Sequence, residues 1–334
     1  MRVWAQRGVV RREGLFAAIR QRGFSRTALA VETGRWGTEG ANSSQSKLVR
    51  PTVAARTRRF HHETSTSGRA KRSGCYADYA AQPATHLGRA LAEGFAYQGQ
   101  SSPFRGGRPR GEPSAALPAT AFVAFLQNHD AVGNQPFGTR LSTRAADPAL
   151  HASIAIVLLS PQIPLLFMGE EWGSGQPFLF FCDFEPGLET RCARAGAGNL
   201  PISRNSEMMP PAKGSPDPTL SSTFEMSKLD WAEPTRQAHA AWLARYRQLL
   251  EIRRREIVPR LHGMEEFAGR YRALGARSVI VEWRLGDGSQ LCLIANFAAE
   301  PVSAADIPDM GRMLYASAET AGTPQSATFG LLSP

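Results

Sequence analysis

Two short apolar runs, each ending abruptly in polar residues, constrain this chain more than any other feature in it. The first is Ala121-Phe-Val-Ala-Phe-Leu126, which gives way to Gln127-Asn-His-Asp130. The second is Ile163-Pro-Leu-Leu-Phe-Met168, which gives way to Gly169-Glu-Glu171. Continuous apolar runs of about four to eight residues read as strands covered on both faces. Between them Asp147-Pro148 opens a helix that runs through Leu159, with Asp placed to cap and Pro at the first helical position. A parallel neighbour can be reached only through such a crossover, so strand–helix–strand predicts an α/β fold with polar groups at the strand ends.

Elsewhere the pattern is more varied. Gly14 to Arg22 reads as a short helix and Thr27-Ala-Leu-Ala-Val31 as a short strand. Between Pro83 and Tyr97, Leu87, Ala90, Leu91 and Phe95 fall at helical spacing. Residues 101–118 are rich in Gly, Pro and Arg and read as a surface loop, and residues 186–222 as a loop-rich insertion. An amphipathic helix follows through Ala238, Ala241, Trp242, Arg245, Tyr246, Leu249 and Leu250. Arg253-Arg-Arg255 reads as its solvated end, where basic residues oppose the helix dipole. Ser278–Leu285, the turn Gly286-Asp-Gly-Ser289 and Gln290–Phe297 form a β-hairpin inside a β-rich module. The final Leu331-Leu-Ser-Pro334 is expected to add no closing strand of its own.

The formal net charge of +10 suggests nucleic acid, but its distribution does not. Residues 1–60 carry thirteen Lys and Arg against Glu13, Glu32 and Glu39, while residues 61–334 hold 26 basic and 26 acidic residues. A nucleic-acid partner calls for a basic stripe on a folded face, interleaved with aromatics, so none is expected. The opening segment is Arg-rich and holds no Asp before Asp78. That composition fits an organelle transit peptide or the degenerate start of a once longer sequence. No run approaches the roughly eighteen apolar residues of a membrane span. Cys75, Cys182, Cys192 and Cys292 are scattered without a C-x-x-C pair, which suits a reducing compartment and predicts neither a disulfide framework nor a zinc site.

Asn128-His129-Asp130 directly follows a strand, where α/β barrels carry their functional side chains. A carboxylate there can accept hydrogen bonds from sugar hydroxyls, and a neighbouring imidazole can orient one. On the residues alone the alternative stands that His129 caps the strand and Asp130 a turn. Glu170 and Glu171 either line a cleft or pair with arginine. Trp172 and Trp231 either stack on sugars or pack in a core.

The context adds a resemblance. Phe125-Leu-Gln-Asn-His-Asp-Ala-Val-Gly-Asn134 with Phe137-Gly-Thr-Arg-Leu141 resembles the seventh-strand motif of the α-amylase family of glycoside hydrolases. Leu159 to Gly173 resembles the family's eighth-strand region. Phe178-Leu-Phe-Phe181, Ser227-Lys-Leu-Asp-Trp-Ala-Glu233, Phe60-His-His62 and Gly74-Cys-Tyr-Ala-Asp-Tyr79 are similar to the maltooligosyltrehalose trehalohydrolase branch. The likeness covers roughly residues 60–330.

It implies the last strands and helices of a (β/α)₈ barrel over residues 59–257 and a truncated β-sandwich over 258–334, after a basic segment, 1–58, that matches poorly. It also implies a retaining hydrolysis of an α-glucan by three carboxylates, releasing trehalose, with no metal or organic cofactor. Asp130 matches the transition-state-stabilising Asp and His129 the substrate-orienting His. Asn128, Gly133 and Asn134 share their loop, and His61 and His62 match a glucan-binding strand end. Arg58 and Arg59 stand where the family usually has acids.

The nucleophile and the acid belong to the family's fourth and fifth strands, before Asn128. With no Asp before Asp78 the nucleophile is missing, and Glu32 is either the acid's counterpart or a surface glutamate. The chain is therefore expected to be inactive or nearly so. A non-catalytic glucan-binding remnant and a branching or debranching enzyme are the competing readings.

Overall fold

The computed structural model describes residues 30–32 (backbone only), 78–79, 81–133, 135–145, 147–183, 214–319 and 321–334. In chain order these form β1 (Ala30–Glu32), α1 (Pro83–Glu93), β2 (Gln100–Ser101), β3 (Pro109–Arg110) and β4 (Val123–Ala124). Then come α2 (His129–Gly133), α3 (Asp147–Leu159), β5 (Ile163–Phe167), α4 (Ser221–Met226) and α5 (Gln237–Ile252). The chain finishes with β6 (Gly269–Ala273), β7 (Ser278–Arg284), β8 (Gln290–Asn296), β9 (Arg312–Ala316) and β10 (Ser326–Leu332). Residues divide into two compact units, one of Met1–Ser46, Gln127–Arg144 and Leu166–Ala244, the other of Lys47–Leu126, Ala145–Leu165 and Arg245–Pro334.

The expected strand–helix–strand unit is present. β4 and β5 run parallel, with Val123 opposite Ile163 and Ala124 opposite Pro164. Only Val123 and Ala124 of the first apolar run pair as strand, although Phe125 and Leu126 are buried beyond them. The crossover helix α3 is apolar nearly all round, and every residue from Ala152 to Leu159 is buried. A helix of that kind has to be covered on all sides. The described part of the Gly14–Val31 region is β1 alone; the rest lies outside the described residues, as does most of the 186–222 insertion.

The second unit is dominated by a five-stranded antiparallel sheet ordered β6–β7–β8–β10–β9. Its central register sets Leu293 between Val281 and Phe329, all fully buried. α1 covers the β6–β7 edge. Gly88 permits the approach, since a Cβ there would lie 2.5 Å from the Tyr271 ring. The Trp283 indole N–H donates to the Leu91 carbonyl at 3.0 Å.

Three local expectations are corrected. Residues 101–118 are not simply loop: β2 and β3 pair as a hairpin, with Gln100 opposite Arg110. Its anchor is Asp78, a fully buried carboxylate bound by the Ser102 hydroxyl at 2.6 Å, the Phe104 N–H at 2.8 Å and Arg110 at 2.7 Å. Burial pushes that carboxyl up, but these donors outweigh it and hold it below its ordinary range.

The second correction is Arg253. It is not solvated but 2 % exposed, at the start of a π-helical turn, Arg253–Ile257, while Arg254 and Arg255 remain in water. The third is the chain's last segment. β10 is an interior strand, bonded to β8 on one side and β9 on the other.

Candidate functional site

The polar end of β4 is organised by Asn128. Its side-chain oxygen accepts the Ala131 N–H at 2.7 Å and its carbonyl accepts the Val132 N–H at 3.0 Å. That satisfies donors which the first turn of α2 leaves open. Asn128 therefore does the capping that the sequence left to His129 or Asp130. His129 Nε2 lies 3.1 Å from Asp130 Oδ1, with 30 % and 48 % of the two side chains exposed.

α2 rests on an aromatic ladder. Gly133 is buried, and a Cβ there would sit 3.5 Å from the Phe178 ring. Gly138, with φ of 53°, approaches so closely that a Cβ would overlap the Phe178 backbone at 2.4 Å. Phe178 N–H donates back to the Gly138 carbonyl at 2.9 Å. The Phe178 ring meets Phe167 and Phe181 edge-on at 5.2 and 5.8 Å, and Phe181 meets Phe224 at 5.1 Å. The Phe178–Phe181 motif thus supports the loop that follows α2.

Beneath lies a buried polar cluster. Gln127 Oε1 accepts the Leu141 N–H at 3.2 Å, and the Gln127 side chain also bonds Glu170, which is 5 % exposed. Burial pushes Glu170 up to about 8, against weaker opposing hydrogen bonds from the Phe167 backbone and Gln127. Burial raises Glu171 as well. Arg140 donates to the Gln176 carbonyl at 2.6 Å and the Met168 carbonyl at 2.7 Å, and lies over the Phe167 ring at 5.0 Å. Burial draws it down to about 10, while Glu170, Glu171 and Glu233 favour its charge.

The tryptophans divide. Trp172 is 4 % exposed and its indole N–H donates to Glu233 at 3.1 Å. Glu233 also accepts the Ser174 hydroxyl at 2.6 Å, and these donors hold its carboxyl down although burial raises it. Trp231 is 69 % exposed, its ring 5.5 Å from that of Trp172 at an angle of 47°.

Of the residues the sequence singled out, Asn128, His129, Asp130 and Gly133 fall together on α2 and its cap. Asn134, His61 and His62 lie outside the described residues, as do Arg58, Arg59 and the side chain of Glu32. Gln127, Arg140 and Phe178 were quoted in motifs but given no role. A buried charge in a polar-looking segment leaves no periodic trace in a sequence. Among the described residues no three His, Cys, Asp or Glu side chains group as a metal site, and no helix is long and apolar enough to cross a membrane.

With this geometry in place, the chain is similar to proteins of the α-amylase class of glycoside hydrolases. A solved structure described as a candidate alpha amylase of Salmonella typhimurium superposes with a TM-score of 0.71 at 38 % identity, over 85 % of this chain and 47 % of that one. Within the class the chain is similar to a C-terminal portion of malto-oligosyltrehalose trehalohydrolase. The Arthrobacter ramosus protein of that name is 38 % identical over 196 residues, 58 % of this chain and 33 % of its own length. The Mycobacterium tuberculosis one is 33 % identical over 266 residues, 77 % and 42 % of the respective lengths. The chain thus spans a third to two fifths of these relatives. A family model described as a domain of unknown function (DUF3459) matches residues 266–332, the span of the five-stranded sheet.

Proposed function

We propose that this chain is the glucan-contacting latter part of a trehalohydrolase-type enzyme, comprising the last strands of a (β/α)₈ barrel and its C-terminal sheet domain. Maltooligosyltrehalose or a related α-glucan is its ligand, and the cytoplasm its place of action. In the complete reaction an Asp attacks the anomeric carbon and a Glu protonates the leaving oxygen. Asp130 stabilises the oxocarbenium-like transition state, with His129, Asn128 and the Gly133–Asn134 loop positioning the sugar. His61 and His62 supply a further sugar contact.

One observation carries this reading. Asp130 stands exposed on the helical turn that follows a strand pairing parallel to its neighbour, with its carboxylate 3.1 Å from His129 Nε2. Its neighbour Asn128 caps the first turn of α2. Titration with maltopentaose, followed by calorimetry, tests it. The wild-type chain should bind, and Asp130→Asn should weaken binding by about tenfold, the loss expected for a charge-assisted hydrogen bond. Absence of any binding by the wild-type chain sinks the proposal.

A second reading, glucan binding without catalysis, is favoured by Trp231. An indole this exposed, backed by a second indole that is itself tied to Glu233, is a rigid stacking platform for a sugar ring.

A further inference from the structure

The Gln127–Leu141 segment is closed on itself at its two ends. Gln127 Oε1 takes the Leu141 N–H, so the other face of the Gln127 amide is left to donate to Glu170. Arg140, one residue before Leu141, is fixed by the Met168 and Gln176 carbonyls that flank Glu170 in sequence. Asn128, His129, Asp130 and Gly133 all lie between these two fixed points. Both ends of the loop are thus tied close to one buried acid, directly through Gln127 and through the charge of Arg140.

We propose that Glu170 is a positioning residue for the glucan-contacting turn α2, acting through Gln127 and Arg140 and switching the turn between two arrangements as it gains or loses a proton. The inference rests on the reading of α2 as the sugar-contacting element. A protonated Glu170 sits in its buried site as a neutral partner of the Gln127 amide. An ionised Glu170 places negative charge beside Glu171, whose own carboxyl burial pushes up. The nearby cation is Arg140, whose Nε and Nη1 donate to two carbonyls while its buried Nη2 has no hydrogen-bond partner.

Two responses are open. Arg140 can swing its open Nη2 toward the carboxylate and strain its two carbonyl contacts, or the Gln127 amide can be drawn closer to the new charge and pull on the Leu141 N–H it holds. Each moves one end of the loop that carries His129 and Asp130. The charged groups that bear on this event are Glu171 on the same segment, Arg140 at the loop end, and Glu233, which faces Arg140. Glu170 itself titrates near 8, which puts the change within reach of ordinary buffers.

The experiment measures maltopentaose affinity of the wild-type chain and of Glu170→Gln between about pH 6.5 and about pH 9. The wild type should bind about fivefold more weakly at the upper end, while Glu170→Gln should hold the low-pH affinity throughout. A residue that only filled space would leave the two pH profiles parallel. In parallel, the amide shifts of Ala131 and Val132 are followed by NMR over the same range. They should titrate in the wild type with a component absent from Glu170→Gln, whether or not sugar binds. Identical amide titrations in the two proteins overturn the inference. Amide titrations that differ as expected, together with no binding by either protein, would instead leave the switch standing and reject α2 as a glucan contact. Asp130→Asn serves as the control that weakens binding without removing the Glu170-dependent component.

Discussion

Glu170 carries a proton at neutral pH that an exposed glutamate would have released, and this has a consequence for stability as well as for the loop. Its ordinary value is 4.5 and its folded one about 8. Between those limits the folded chain holds a proton that the unfolded chain gives up. Stability from this group is therefore fully present below about pH 4.5 and is lost as pH rises toward about 8. Glu170→Gln keeps the shape and the neutral state but cannot ionise. The variant should match the wild type near pH 5 and exceed it near pH 8, by about 3 °C or more in melting temperature. Thermal melts of both proteins across that range check the sign, and a wild type that gains on the variant with rising pH would contradict it. Asp78 behaves oppositely, since its donors favour the charged form, and its contribution is lost only as pH falls through its lowered value.

At the scale of elements, the end of α3 shows why one arginine is buried with carbonyls for company. Arg253 donates to Leu158 at 3.0 Å, to Ser160 at 2.6 Å and to Gln162 at 2.8 Å. These are the carbonyls that the C-terminus of α3 and the turn into β5 would otherwise bury unpaired. Burial alone draws the guanidinium down to about 10. The π-helical turn that begins at Arg253 brings the side chain inward from the end of α5. Arg253→Met keeps most of the volume but removes every donor, and should cost about 2–4 kcal/mol in urea unfolding. Arg254→Met, on the same turn but exposed, should change stability by less than about 0.5 kcal/mol. Equal effects of the two would show that the carbonyl contacts are not what matters.

The same scale explains what could be read in advance. α1, α3 and α5, with the β7–β8 hairpin, have apolar spacing or continuous runs long enough to name their type. β10 escaped because Gly330 interrupts its pattern. A Cβ there would lie 2.1 Å from the Met310 carbonyl, and the register to β9 shifts between Phe329 and Gly330. β2 and β3 escaped because two-residue strands in a Gly- and Pro-rich stretch carry no period, and their anchor, Asp78, is remote in sequence.

For the whole molecule, the strand-end position of Asn128, His129 and Asp130 was legible because an abrupt change from apolar to polar marks where a buried strand leaves the core. The cluster of Gln127, Arg140 and Glu170 was not, because it depends on three segments meeting, and burial of a charge is decided by its neighbours rather than by its own position. The remaining question is turnover. Retaining hydrolysis needs a nucleophilic carboxylate in addition to the stabilising one, and the first aspartate of this chain is Asp78. That carboxylate is fully buried and takes donors from Ser102, Phe104 and Arg110, so it has no oxygen free to attack a sugar carbon. Asp130, by its place after β4, occupies the stabilising role in this reading and cannot fill both. The chain alone should therefore release trehalose from maltooligosyltrehalose at least about 10⁴-fold more slowly than the Arthrobacter ramosus trehalohydrolase. A rate within about tenfold of that enzyme would mean that a carboxylate outside the described residues supplies the covalent step, and the binding-only account of this chain would be wrong.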